Sequence, residues 1–168
     1  LDDHRPLVLR TGTGAGYRST IQMTNPDLAR NPLEKGDATA MLARQSLGIV
    51  RDRSVSDALD ETVRIHNYTM HLERCVVTLA LDADFADIFE VRGVRRPARG
   101  ERAPVVVDGQ EVRFEYRGLD GRIRRTTVRV SEPAAPVAHE VPEGSSPSSW
   151  VVLAFDWTIP PGGDRTLA

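Results

Sequence analysis

The 168-residue chain has one lysine, one cysteine and few aromatic residues. The lone Cys75 rules out an intramolecular disulfide, leaves no cysteine pair for a structural zinc site, and fits a reducing cytoplasm. Aromatic residues make up 5% of the chain, too few for a dedicated sugar-stacking platform. No apolar run reaches the roughly 20 residues of a membrane-crossing helix, and the opening residues hold no apolar core of the signal type. The net charge of −2 offers no electrostatic attraction to a nucleic acid or a membrane surface. The expectation is a cytoplasmic protein with neither as a partner.

What is present is ordinary for a globular protein: 40% hydrophobic and 27% charged residues. The length suits one domain, taken as residues 1–168, with a core of its own. Apart from Lys35, every basic side chain is an arginine. This bias fits the codon usage of a GC-rich genome. The alternative is an arginine surface selected for bidentate contacts.

Period-two alternation recurs along the chain. Glu111-Val112-Arg113-Phe114-Glu115-Tyr116-Arg117 switches between charged and apolar without a fault, as in a strand with one wet and one dry face. Residues 74–81 put Cys75, Val77, Leu79 and Leu81 on one side, and the milder polarity of the other side suits a central strand. Val151, Leu153, Phe155 and Trp157 share a face of a late strand. Further strands are expected at 6–10, 17–24, 40–51, 57–68, 105–107 and 122–130, with helical turns at 28–33 and 85–89. Asp108-Gly109 and Asp120-Gly121 read as type I′ hairpin turns, which need positive φ at both central residues. Asn25-Pro26-Asp27, Asn31-Pro32 and the Ser-rich residues 143–149 read as loops. Together these predict an all-β protein, an antiparallel β-sandwich with short helical turns. Both ends read as cut. Leu1 enters close to the first strand, and residues 159–168 form a turn and the opening of another strand, as in a piece of a larger protein.

Four carboxylates follow the strand at 74–81: Asp82, Asp84, Asp87 and Glu90. As a calcium loop the cluster fails, because Ala86, Asp87 and Gly93 stand at the fifth, sixth and twelfth positions. Asp82 and Asp84 could meet the roughly 5–10 Å spacing of a glycosidase pair. The reading preferred here is structural. Asp82, Asp84 and Asp87 cap the end of a strand and a short helical turn, and Phe85, Ile88 and Phe89 tuck into the core at i, i+3, i+4 spacing.

Gly12-Thr13-Gly14-Ala15-Gly16 lacks the spacing of a phosphate-binding loop and reads as a Gly-rich hairpin. His4, His66, His71 and His139 match no metal-ligand pattern and are expected in solvent or at strand edges. Cys75 is expected in the core. Trp157 should be buried. Trp150, seven residues earlier, should face the other way, either stacking on a ligand or half-buried at a sheet margin. Trp150, Tyr17 and Tyr68 are the candidate sugar-stacking rings. The segment 91–102 carries five arginines with two glycines and a proline. It reads as a solvated loop, or as one docking on a neighbouring domain through Arg92, Arg95, Arg96 and Arg99. No residue is assigned a catalytic or metal-binding role, and no cofactor is expected.

The run from residue 57 to residue 100 resembles the N-terminal domain of bacterial and archaeal glycogen debranching enzymes of the amylo-α-1,6-glucosidase type. LALDADFADIFEVRG, residues 79–93, is its most specific part. Met23-Thr24-Asn25-Pro26-Asp27, Tyr116-Arg117-Gly118-Leu119-Asp120-Gly121 and Arg124-Arg125 are similar to the family as well. The resemblance implies a β-sandwich that precedes an (α/α)₆ barrel carrying the hydrolase chemistry. It implies that Asp82, Asp84, Asp87 and Glu90 are not catalytic acids. It also implies a further strand pair ahead of Leu1, without which exposed sheet edges could be covered by a second copy. The function expected is a non-catalytic accessory domain that packs on the barrel and helps shape a glucan cleft. The alternatives are a glucan-binding module, or a stand-alone glycosidase using Asp82 and Asp84.

Overall fold

The computed structural model describes residues 1–2, 4–29, 41–137 and 150–168. In chain order, β1 (Leu7–Gly14) and β2 (Arg18–Thr24) are followed by the two-residue β3 (Leu28–Ala29) and β4 (Met41–Leu42). Next come β5 (Leu47–Val55), β6 (Leu59–Asn67) and β7 (Glu73–Asp82), then the helical turn α1 (Ile88–Val91). The remainder is β8 (Glu101–Arg102), β9 (Val106–Asp108), β10 (Glu111–Arg117), β11 (Ile123–Arg129), β12 (Ala135–Val137), β13 (Trp150–Ile159) and β14 (Asp164–Leu167). The fold class is all-β with antiparallel sheets, of the sandwich class that the alternation predicts.

Contacts divide the chain into two compact units, Leu1–Thr78 with Phe155–Ala168, and Leu79–Ala154. In the first, five strands pair in the order β1-β2-β5-β6-β14. Leu47, Ile49 and Ile65 are buried there, and farther along the same strands that face becomes charged. Arg53 lies directly opposite Glu61 and pairs with it, and Arg51 reaches the same carboxylate at 2.5 Å. In the second unit β10 pairs with β8, β9 and β11. Its dry face is Val112, Phe114 and Tyr116, all buried. Its wet face pairs Glu115 with Arg125 at 2.6 Å, and Glu111 with Arg113 at 2.8 Å and Arg129 at 3.3 Å. A further sheet has the strand order β12-β13-β7.

Two asparagines hold strand ends of the first unit. Asn67, fully buried, closes β6. Its Nδ2 donates to the carbonyls of His71 (2.8 Å), Ile159 (3.0 Å) and Pro160 (3.2 Å), and its Oδ1 accepts from Thr69 N–H at 2.8 Å. Asn25, also fully buried, donates to the carbonyls of Pro26 and Ala43 and accepts from Leu47 N–H. A side-chain amide offers donor and acceptor together, so one residue satisfies loop groups that no strand pairs with.

Several boundaries differ from the sequence expectation. The single strand at 40–51 is interrupted: Gln45 takes φ 67° and its N–H donates to the Asn25 carbonyl at 3.1 Å. The helical turn expected at 28–33 is strand at Leu28–Ala29, where β3 pairs with β4, and residues 30–33 lie outside the described residues. Both hairpin dipeptides turn with positive φ at glycine alone, Gly109 at 59° and Gly121 at 74°. The loop after β9 is therefore Gly109-Gln110, set by register: Asp108 is already paired with Glu111. The closing residues form a turn at 160–163 and then β14, which pairs with β6 from Asp164↔His66 to Leu167↔Val63.

Replacing Asn67 by alanine strands buried carbonyls in the first unit. We expect Asn67→Ala to lose about 2–4 kcal/mol of stability in urea unfolding. A loss under about 0.5 kcal/mol, the size of an ordinary surface change, would show that water replaces the amide.

Candidate functional site

The acid cluster after β7 is a knot of local bonds. Asp84 Oδ1 accepts from Ala86 N–H at 3.0 Å, an Asx turn. Asp87 is the N-cap of α1: its Oδ1 accepts from Phe89 N–H (2.8 Å) and Glu90 N–H (2.9 Å). Glu90 Oε2 returns the bond by accepting from Asp87 N–H at 3.1 Å, completing a capping box. Asp82 makes an ion pair instead, with Arg102 at 3.0 Å.

The arginine segment folds back onto this knot. Arg96 pairs with Asp87 Oδ2 and lies 3.3 Å from Glu90. Arg99 lies 3.2 Å from Glu90 and donates to the Asp84 carbonyl at 2.6 Å. Arg92 and Arg95 are exposed, with no carboxylate partner among the described residues. Thus Arg96 and Arg99, read from sequence as docking groups, are engaged within the loop.

One correction concerns the apolar residues of the turn. Ile88 and Phe89 do not enter the core; both are more than half exposed. The helix starts at Ile88 rather than at Phe85, because Phe85 takes φ 49°, outside the right-handed helical region. The spacing that would bury the three residues together never forms. Phe85 alone turns inward, its ring stacked on Tyr116 with centroids 5.3 Å apart and planes 15° apart.

Phe85 and Tyr116 line a groove of about 580 Å³ with Asp87, Arg96, Asp120 and Arg124. Tyr116 is fixed from behind, where its hydroxyl accepts from Gly100 N–H at 2.7 Å. Gly100 has to be glycine: a Cβ there would sit 1.9 Å from the Arg117 carbonyl oxygen. On the hairpin side Arg124 grips Asp120 with two bonds, 3.0 and 2.9 Å. The Arg124 guanidinium and then the Arg122 N–H pull the Asp120 carboxyl down to about 2. The Glu90 N–H and then Arg96 likewise hold Asp87 below the ordinary carboxylate range. Both carboxylates are ionised at neutral pH, so neither can deliver a proton to a leaving group. Asp82 and Asp84 do not line this groove.

The three candidate stacking rings are separate from it. Tyr17 is exposed at the β1–β2 turn, with the Arg18 guanidinium 6.0 Å from its ring centre. Tyr68 is exposed and borders a smaller hollow of about 250 Å³, with Gly48, Arg64, His66 and Asp164. Its ring lies edge-on to His66 at 4.5 Å and so close to Gly48 that a Cβ there would be 2.6 Å from Tyr68 Cε2. Trp150 is half-buried at the start of β13, and Trp157 is fully buried.

Cys75 is buried, and desolvation pushes its thiol up to about 12, which removes it as a nucleophile. His66, next to last in β6, is about a third exposed, with Nδ1 3.0 Å from Asp164; His4 and His71 are exposed. His139 and residues 143–149 lie outside the described residues. Among the described residues no three of His, Cys, Asp and Glu gather closely enough to hold a metal ion, and no helix is long and apolar enough to cross a membrane.

Sequence reasoning missed Phe85, Tyr116, Asp120 and Arg124 as groove residues. A partial signal existed. Asp120 and Arg124 stand four apart across a hairpin turn, where their side chains meet.

The carboxylate shifts predict a pH signature. Because the fold lowers the Asp120 pKa, the stabilisation from its pair is complete above the ordinary carboxylate range and is lost as pH falls toward about 2. The Asp120 carboxyl carbon should therefore titrate near 2 by NMR. In Arg124→Ala the midpoint should rise toward the ordinary 3.8; an unmoved midpoint would rule out the guanidinium as the cause.

No curated protein and no solved structure gives a significant match to this chain. A family model does match, over residues 1–168, and the chain accordingly belongs to the family described as the N-terminal domain of (some) glycogen debranching enzymes.

Proposed function

We propose that this chain is a non-catalytic accessory domain of a glycogen-debranching enzyme of the amylo-α-1,6-glucosidase type, docking on a separate (α/α)₆ catalytic domain of the same polypeptide. The observation that carries the reading is the state of the acid cluster. Asp82, Asp87 and Glu90 are committed to guanidinium groups, and Asp84 to a backbone amide. Hydrolysis needs two carboxyls facing each other across a bound sugar, and Asp82 and Asp84 border neither of the two hollows described above.

The outward side of α1 supports docking. Ile88, Phe89, Val91 and Val94 are each more than half exposed, and Arg92 and Arg95, without a carboxylate partner among the described residues, lie among them in the chain. The turn beneath is braced by the capping box and by Arg96 and Arg99. A braced turn loses little entropy on binding. Its apolar residues with the exposed guanidinium groups of Arg92 and Arg95 suit an apolar surface bearing carboxylates. The exposed Tyr17 and Tyr68 favour a second reading, a glucan-binding module. It ranks lower because each ring is already engaged, one with Arg18 and the other with His66 and Gly48.

Two assays test the proposal. The 168-residue chain should release no glucose from limit dextrin or isomaltose; steady release that Asp84→Asn abolishes would sink the accessory reading. Mixed with the separately produced catalytic part, the chain should form a complex. The double variant Phe89→Asp, Arg92→Glu should weaken that complex about tenfold or more, and an unchanged affinity would reject this face as the contact.

A further inference from the structure

Three features of the groove beside β10 point to a ligand. The first is Phe85. A large aromatic residue with φ 49° is an outlier of the kind that persists where surrounding structure over-determines it. Here one face of the ring is stacked on Tyr116, which is itself held by Gly100. The rest of the ring borders the groove, a firmly backed apolar surface open to solvent.

The second feature is charge balance. Asp87 with Arg96, and Asp120 with Arg124, bring two carboxylates and two guanidinium groups to the same groove. An anion would have to displace a carboxylate, and a cation a guanidinium group. A neutral ligand that both donates and accepts can use the free lone pairs and N–H groups without breaking either pair. Vicinal hydroxyls have that chemistry.

The third feature is size. About 580 Å³ lies within the range of roughly 300–1,000 Å³ usual for small-ligand sites.

We infer that this groove binds a neutral polyhydroxyl chain, a carbohydrate, with Phe85 as the stacking surface and Asp87, Asp120, Arg96 and Arg124 as the groups that hold its hydroxyls. Tyr17, Tyr68 and Trp150 lie outside this site. The choice of an α-glucan as probe rests on the accessory-domain reading; the site itself does not.

The test is calorimetric titration of the 168-residue chain with maltoheptaose at millimolar concentration. Saturable binding is expected. Phe85→Ala and Asp120→Ala should each weaken it about tenfold or more, whereas Tyr17→Ala and Tyr68→Ala should leave it within about twofold. Phe85→Ala removes a packed ring, so its fold is checked by circular dichroism. If it unfolds, Asp120→Ala, at an exposed turn, decides the matter. No saturable binding, or binding that the groove variants leave unchanged, overturns the proposal. Tighter binding of a sulfated maltooligosaccharide overturns the assignment to a neutral ligand. A chain that binds sugar in the groove yet hydrolyses it would remove the accessory reading and keep this one. A chain that does neither would remove only this one.

Discussion

The second unit depends on what one carboxylate does with its two oxygens. Asp87 Oδ1 accepts the first free amides of α1, and Oδ2 holds Arg96. The first interaction lets a helical turn start three residues after a left-handed backbone position, at Phe85. The second draws a Gly- and Pro-containing segment back over the turn. Neither is buried, and exposed ion pairs contribute little to stability when taken singly. Their effect is geometric. With Glu90 they form a network in which each member fixes the next, and such networks restrict conformation more than isolated pairs do.

The same pairing rule covers the wet face of the β10–β11 hairpin and the region where Glu61 receives Arg51 and Arg53. Arginine suits these positions because its planar fork can meet one carboxylate at two points, or share it with a second guanidinium group. Whatever the genomic source of the arginine bias, many of these side chains are engaged in the folded chain. The result is a surface rich in charge on which few carboxylates near the groove are available for proton transfer.

The Asp87–Arg96 pair also links the two proposed surfaces. It borders the groove and braces the turn that carries Ile88 and Phe89. A partner seated on the outer side of α1 and a sugar seated beside Phe85 would therefore both act on one small network.

Much of the architecture could be read directly from the sequence, because a period of two leaves little choice. The alternation of 111–117 reappears as β10 with Val112, Phe114 and Tyr116 buried, and the faces of Cys75 and Trp157 follow the same rule. Local chemistry was readable to nearly the same degree: aspartates after a strand found amides and a helix start. The sequence could not decide which distant groups would meet. Asp82 found Arg102 rather than an amide, Gln45 broke a strand because Asn25 needed a donor, and Ile88 and Phe89 stayed outside because the backbone turned left at Phe85. The groove belongs to the same class, since residues 85–87, 96, 116, 118–120 and 124 come together only when the hairpin and the corner are both in place. Period and capping are set by neighbours along the chain, whereas ion-pair partners and the open side of a ring are set by whichever segments fold past each other.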